Sequence, residues 1–298
     1  YVPKHIPRFI LVKDQKKATL DKIVSYIKFP CIIKPTNLSS SALVANCYDR
    51  TELESTLQVI FKKIHTMYRG KGVEQDPKIL VEQLIEGDLY SVDAYVNSRG
   101  GMYFSPFVEI KTGKDIGYDD FFMYTQITPS NLEKEEREKI KEVVKKSVHA
   151  LGIRSCCAHV EFYKTKKGFV KIVEIGARIG GYRDEMYFDA HGIRHGMNDL
   201  LIHLGEKPLL KPTKKKHTVF MKFWPRKKGV LKSIKGIKKI REFPFVVRTM
   251  QKKVPGEKVG LSKYGHLYIC AFNIIADTRT ELLANIRKVE KTLEIVLK

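Results

Sequence analysis

The chain has 298 residues, of which 43% are hydrophobic and 30% charged, enough apolar material for two domains or three small ones. This composition excludes collagen-like, low-complexity and wholly disordered proteins, and no apolar run approaches the roughly 20 residues of a membrane span. The formal net charge is +22, and residues 206–260 alone hold 15 lysines and 3 arginines against 3 acids. Such an excess indicates an anionic partner or a lysine-biased proteome.

Helix and strand patterns alternate through the first hundred residues. Apolar spacing predicts a helix over 18–27, and a capping box of Asp49 with Glu52 opens a second helix that reaches Tyr68. Short apolar runs predict strands over 29–34, 43–47, 79–84 and 90–96.

The rest of the chain predicts a hairpin between two helices. Ser130 with Glu133 forms another capping box, and strands over 158–163 and 169–175 are joined by a turn at 165–168. A helix over about 198–204 ends at a Gly-Glu-Lys-Pro break, where we place a domain boundary. Short strands follow, and a helix over 278–297 closes the chain.

Four side chains of the predicted hairpin form the strongest candidate site. His159 and Glu161 share a face of one strand, and the hairpin register can bring Glu161 beside Glu174. Neighbouring carboxylates repel each other, and Mg²⁺ removes that cost because it prefers carboxylate and phosphate oxygens. Arg178 follows four residues after Glu174, within reach of a phosphate or carboxylate. The competing interpretation is two solvated glutamates with Arg178 in a surface salt bridge.

Two further segments carry chemistry suited to a nucleotide. Lys34 ends a buried strand and precedes a serine-rich loop, so its ammonium group can meet phosphates with hydroxyl groups assisting. The run 81–84 can offer backbone donors and acceptors to an adenine edge. An ordinary strand-end lysine and a plain hairpin are the competing interpretations of these two segments.

These motifs together resemble a known superfamily. FPCIIKP, then ILVEQLIEG with YSVD, then HVEF, then VEIGARIGG are similar in order and spacing to the ATP-grasp superfamily over about residues 7–205. The nearest likeness is to the L-amino acid ligase type of carboxylate–amine ligases. Their metal-binding glutamates are thirteen residues apart, with an arginine four further on, as are Glu161, Glu174 and Arg178.

The resemblance implies an α+β fold in which two α+β lobes clasp a nucleotide. The ATP-grasp domain would span residues 1–206, with a smaller lobe over about 20–84 and a larger lobe over about 85–206. A small basic α/β domain would occupy residues 207–298. Because the family carries an N-terminal Rossmann-like domain, we expect that domain to be missing here, or to be supplied by another chain or a homo-oligomer.

The resemblance also implies roles for individual residues. Glu161 and Glu174 would bind Mg²⁺ or Mn²⁺, and Arg178 would stabilise the acyl-phosphate and the tetrahedral intermediate. The ATP contacts would be Lys34, Ser39, Ser40, Ser41, Glu82, Gln83, Leu84 and Asp88, with Lys34 on phosphate and the run 81–84 on adenine. The substrate contacts would be His159, Gly180, Gly181 and Tyr182, with Tyr182 as a pocket wall.

Three features depart from the family pattern. Gly176 stands where the family usually has an asparagine, which removes a metal or phosphate ligand. The acid expected on the ribose falls at Leu89, with Asp88 beside it but out of phase. The phosphate loop is rich in serine and contains no glycine.

We therefore expect a cytoplasmic, Mg-ATP-dependent ligase that joins a carboxylate to an amine, with small amino-acid substrates and no membrane. Five cysteines without a C-x-x-C pair agree with a reducing compartment. His191 and His195 are four residues apart, but a glycine lies between them and no glutamate follows His191, so we interpret them as loop histidines. One alternative is an ATP-grasp branch resembling glycinamide ribonucleotide synthetase or biotin carboxylase.

The other alternative is a non-catalytic ATP-grasp scaffold with a basic surface that binds nucleic acid. Residues 214–258 interleave lysines with aromatic residues, as single-strand-binding surfaces do. Solvated lysines over a buried aromatic layer give the same pattern, and we favour that interpretation.

Overall fold

The computed structural model describes residues 2–38, 41–70 and 72–298 as three antiparallel sheets with helices packed on them. The helices are α1 (Lys17–Tyr26), α2 (Arg50–Gly70), α3 (Lys134–Ala150), α4 (Arg183–His191), α5 (His195–His203), α6 (Ile237–Arg241) and α7 (Arg279–Thr292). The strands are β1 (Phe9–Val12), β2 (Cys31–Pro35), β3 (Ala45–Cys47), β4 (Ile79–Gln83), β5 (Asp88–Val96), β6 (Met102–Phe104), β7 (Val108–Thr112), β8 (Met123–Thr128), β9 (Cys156–Lys164), β10 (Val170–Gly176), β11 (His217–Phe223), β12 (Gly229–Lys235), β13 (Val246–Gln251), β14 (Lys258–Val259), β15 (Cys270–Ala276) and β16 (Glu294–Leu297).

The small lobe is a four-stranded sheet in the order β1-β4-β2-β3, with α1 and α2 packed on one face. Side chains alternate along β2, so Cys31 and Ile33 are buried under the helices. Lys34 consequently lies on the opposite face, which turns towards the large sheet. Both predicted helices are confirmed, and the Asp49 carboxylate accepts the Glu52 amide hydrogen at 2.8 Å, as a capping residue does.

The large sheet has nine strands, in the order β10-β9-β5-β7-β8-β11-β15-β13 with β6 also on β5. The predicted hairpin is its first pair, and the Gly168 amide donates to the Thr165 carbonyl at 2.8 Å in the turn. Strands β11, β15 and β13 follow residue 206 yet belong to this same sheet, because β11 pairs with β8. The domain division at residue 206 stays a prediction, and the hydrogen-bonded sheet is continuous across it.

The loop over 260–266 reaches back to the small lobe. The Leu43 amide donates to the Lys263 carbonyl at 3.0 Å, and the sulfur of Met67 would lie 3.3 Å from a Cβ placed on Gly265. Residues from the C-terminal part of the chain therefore pack beside the segment that follows Lys34.

Two helix boundaries and two helices that were not predicted, α4 and α6, differ from the sequence prediction. The cap of α3 is Glu133 rather than Ser130, because Glu133 and Glu136 repeat the capping-box spacing three residues later. The chain leaves α7 at Leu293, and the β-branched run that follows pairs with β12 as β16. Helix α4 was not predicted, and it places His191 in a helix, as α5 does for His195, so the loop assignment of both was wrong.

The aromatic residues of the basic segment face the interior. Phe220 and Trp224 are buried, and Phe223, Phe243 and Phe245 pack against the same hydrophobic cluster. All five rings are thus at least partly buried in this cluster, which agrees with the interpretation of a buried aromatic layer. Among the described residues, no helix combines the length and the apolar character needed to cross a bilayer.

Candidate active site

A β-bulge brings the two predicted metal ligands together. Phe162 pairs with Ile172, but the register then shifts so that Glu161 pairs with Glu174, leaving Val173 as the extra residue. Directly paired residues of an antiparallel ladder point to the same face. Without the bulge Val173 would oppose Glu161, and Glu174 would lie on the other face of the sheet. The predicted convergence of Glu161 and Glu174 on one face is confirmed.

The two carboxyl groups differ in their electrostatic surroundings. Burial would raise the pKa of Glu161, but the hydrogen bond and charge of His159 outweigh it and lower that pKa. The side chain of Glu174 is 57% exposed, and its partial desolvation together with the charge of Glu161 raises its pKa. The pKa values of the two carboxyl groups are thus shifted in opposite directions, and a divalent ion between the two would relieve their repulsion.

His159 lies between the pair and a buried acid. Its Nδ1 is 2.8 Å from Oδ1 of Asp93, and its Nε2 is 3.3 Å from Oε1 of Glu161. Burial works against the charged imidazole, but Asp93 and Glu161 raise the pKa of His159 to about 9. We predicted His159 as a substrate contact, and its ring is occupied by these two carboxylates.

Asp93 organises the layer behind the site. It accepts hydrogen bonds from His159, from the Gly180 amide at 2.9 Å and from the Tyr187 hydroxyl at 3.0 Å. Ligand atoms of Asp93, Cys157 and His195 lie within 4.8 Å of one another in the interior. Because both carboxylate oxygens of Asp93 already accept hydrogen bonds, we interpret these three residues as a structural network rather than a metal site.

Lys34 and Arg178 lie at the same edge of the large sheet as the carboxylate pair. The Lys34 ammonium is 2.6 Å from Glu82 and 3.4 Å from the carbonyl oxygen of Val173, the bulged residue. Arg178 is more than half exposed, lies 3.6 Å from Glu174 and donates to the Ile179 carbonyl at 2.9 Å. The structure thus brings both predicted cations next to the acids.

The predicted adenine and phosphate contacts have different surroundings in the structure. The amides of Gln83 and Leu84 donate to the carbonyls of Arg8 and Pro30, so these two donors are used inside the small lobe. Asp88 is exposed at the start of β5. Ser41 has a left-handed φ of 56°. Ser39 and Ser40 lie outside the described residues.

The two predicted substrate glycines have opposite surroundings. A Cβ on Gly180 would lie 2.7 Å from the His159 ring and 2.8 Å from Cγ of Arg183, so protein atoms rather than a ligand approach it. A Cβ on Gly181 would meet nothing within 4 Å. Tyr182 directly precedes α4, stacks on Phe220 with ring centroids 4.2 Å apart, and remains 37% exposed.

Comparison with known proteins assigns the chain to a family. The sequence pattern of the ATP-grasp domain matches residues 27–185, more than half of the chain. The chain belongs to the ATP-grasp family. ATP-grasp ligases generally use ATP with Mg²⁺.

Two curated relatives of this ATP-grasp chain are ligases. It is 28% identical over 184 residues to alanine–anticapsin ligase of Bacillus subtilis (strain 168), a match that covers 57% of this chain and 38% of that protein. It is 30% identical over 187 residues to D-alanine–D-alanine ligase of Wigglesworthia glossinidia brevipalpis, covering 61% of this chain and 49% of that protein. The match therefore spans less than half of either relative.

A solved L-amino acid ligase from Bacillus licheniformis has a similar structure. The TM-score is 0.80 at 22% identity, and the match covers 98% of this chain and 69% of that one. This likeness confirms the predicted ATP-grasp fold, and the match extends over the strands that follow residue 206.

Three polar residues beside the site escaped the sequence analysis: Gln126, Arg183 and Lys222. Each lies in a strand or helix that also buries apolar side chains, and each is at least nine-tenths buried. The available signal was a polar residue at a position where the neighbouring residues predict an interior side chain, as for Lys222 on β11. Arg183 directly follows residues 178–182 (RIGGY), and its position beside that motif was a second signal.

Proposed function

We propose that this chain is the nucleotide-binding and catalytic part of an ATP-dependent ligase that joins the carboxylate of one amino acid to the amine of another. The observation that carries the proposal is the bulge at Val173, which sets Glu161 opposite Glu174. Lys34 and Arg178 approach the same edge. Two acids and two cations at one edge of the large sheet suit a phosphoryl group with a bound divalent ion.

The donor set fits the metal that the family uses. Glu161 and Glu174 present carboxylate oxygens on one face, and oxygen ligands of this kind suit Mg²⁺ or Mn²⁺. When bound, the ion would offset the negative charge of the nucleotide phosphates. The hydrogen bond from His159 would orient Glu161 for this task.

The reaction has two covalent steps. A carboxylate oxygen of the first substrate attacks the γ-phosphorus of ATP, and ADP leaves, which gives an acyl phosphate. The amine of the second substrate then attacks the acyl carbon, phosphate leaves with the electrons of the C–O bond, and the nitrogen loses a proton. Lys34 and Arg178 would stabilise negative charge on the phosphoryl group and on the tetrahedral intermediate.

A screen of phosphate release over pairs of amino acids tests this proposal on the full-length protein. We expect at least one pair to yield phosphate, ADP and a dipeptide in equal amounts, and Glu161→Gln to abolish that yield. Glu142→Gln on the exposed face of α3 is the matched control and should behave as the unaltered protein. Absence of phosphate release with every pair would contradict the proposal.

A further inference from the structure

A group of buried nitrogen donors, several of which have no acceptor, lies between β8, β11 and the start of α4. Lys222 is only 9% exposed, and no described residue forms a hydrogen bond or ion pair with its ammonium group. Arg183 is 1% exposed, and its Nε has no partner within the described part of the chain. The same holds for Nε2 of Gln126.

The donors are joined to one another and to the carboxylate site. Arg183 donates to Oε1 of Gln126 at 2.6 Å and to the Ser91 hydroxyl at 2.9 Å. Ser91 pairs with Glu161 across β5 and β9, so the group borders the metal ligands. Gln126 pairs with Phe220, two residues before Lys222 on the same face of β11.

The group contains two buried cations, Arg183 and Lys222. The acceptors of Arg183 are neutral, and Lys222 has no acceptor among the described residues. Burial and the nearby charge of Arg183 lower the pKa of Lys222 to about 7, and only Glu161 opposes this shift. Glu161 itself is engaged by His159. Burying a cation without a counter-ion is costly unless a ligand supplies the negative charge.

Aromatic rings wall the space around the Lys222 ammonium group. The group lies 5.3 Å from the ring centre of Tyr182, 5.9 Å from that of Phe220 and 5.6 Å from that of Trp224. Cation–π contacts of this kind offset part of the cost of burial but satisfy no N–H donor. Tyr182 is partly exposed, and space remains in front of Gly181, so a small group can enter beside them.

We propose that Lys222, with Arg183 and Gln126 behind it, binds the free carboxylate of the amino acid that supplies the amine. The inference rests on the proposed function, in which the first substrate loses its carboxylate charge to the acyl phosphate while the second keeps its own. A second carboxylate needs cations apart from Lys34 and Arg178. The site would therefore select α-amino acids over simple amines.

The test compares each amino acid that serves as the amine with its own carboxamide, which keeps the amine and lacks the charge. In the full-length protein we expect kcat/KM for the free acid to exceed that for the amide at least tenfold. Lys222→Met should raise KM for the free acid by about 10- to 100-fold and leave KM for the amide within about threefold. Lys222→Arg should retain part of the preference.

The outcomes separate this inference from the proposed function. Equal use of acid and amide by the unaltered protein overturns the inference, whether or not the variants fold. A Lys222→Met protein that keeps the preference, or that loses kcat equally with both substrates, also overturns it while ligase activity stands. Lys232→Met, at an exposed position of β12, is the control and should keep the preference. Phosphate release with no pair at all overturns both.

Discussion

The Nδ1 atom of His159 lies 2.8 Å from Oδ1 of Asp93, and both side chains are buried beneath the carboxylate pair. Because Glu161 lies on the other side of the same ring, the imidazolium links a structural acid to a candidate metal ligand. Asp93 also holds the Gly180 amide, which fixes the segment that follows Arg178. One buried acid thus positions two parts of the site.

Replacement of Asp93 by asparagine should be strongly destabilising. Asp93→Asn keeps the shape of the side chain but leaves the His159 cation without its buried partner, which costs about 3 kcal/mol of unfolding free energy. Urea denaturation followed by circular dichroism measures this cost. Glu138→Gln, which removes an exposed ion pair on α3, should change stability by less than about 0.5 kcal/mol. A loss below about 1 kcal/mol in Asp93→Asn would show that the network is not stabilising.

Gly180 and Gly181 offer a matched pair of substitutions. Gly180→Ala places a methyl group 2.7 Å from the His159 ring, so the ring or the backbone must move, at about 1–3 kcal/mol. Gly181→Ala meets open space and should change stability by less than about 0.5 kcal/mol. Denaturant midpoints of the two variants compare them directly, and equal midpoints would contradict the packing described for Gly180.

Glu174→Gln should separate metal binding from stability. It removes the repulsion from Glu161, so the melting temperature without nucleotide should stay the same or rise. The unaltered protein should gain about 2.7 kcal/mol with Mg-ATP at a hundred times its Kd, and little with ATP and a chelator. The variant should lose most of the Mg-dependent gain. A large drop in basal stability with an intact Mg-ATP shift would assign Glu174 to the fold instead.

Acid should weaken the fold through His191. Burial and the nearby charge of His217 lower the pKa of His191 to about 4, and its ring lies 3.1 Å from the Thr128 hydroxyl. Above pH 6.5 the ring is neutral in both folded and unfolded chains, so the free energy of unfolding carries no protonation cost from His191. Between pH 6.5 and 4 only the unfolded chain takes up the proton, and stability falls by up to about 3 kcal/mol.

Melting curves across this pH range measure the effect. His191→Gln should flatten the decline in stability below pH 6.5, whatever its effect at neutral pH. His203→Gln, at an exposed position near the end of α5, should leave the decline unchanged. An identical decline in all three proteins would place the acid sensitivity elsewhere.

The carboxylate site was predictable because its residues are close in sequence. The hairpin turn, the alternation of His159 with Glu161 and the thirteen-residue spacing to Glu174 are all local patterns. The bulge that sets the register was not predictable, since Val173 looks like any other strand residue. Its effect depends on pairing with β9, which sequence alternation alone does not specify.

Local sequence patterns could not predict what the C-terminal region contributes to the candidate site. The position of Lys222 beside Arg183 depends on β11 joining the sheet next to β8. That pairing joins residues about a hundred positions apart. Likewise, the short α4 has weak helical periodicity, and its first residue is held by Gln126 and Ser91 rather than by a capping side chain.

The pairing of β11 with β8 also determines where such proteins can be truncated or joined into chimeras. A fragment ending at residue 206 would expose the open side of β8 as an unpaired strand edge and uncover much of the hydrophobic cluster that β15 completes, an arrangement prone to aggregation. A chimera that exchanges the region after residue 206 would transfer Lys222 together with the missing strands. If Lys222 acts as proposed, completion of the sheet and preference for the incoming amine would then be inherited as a unit.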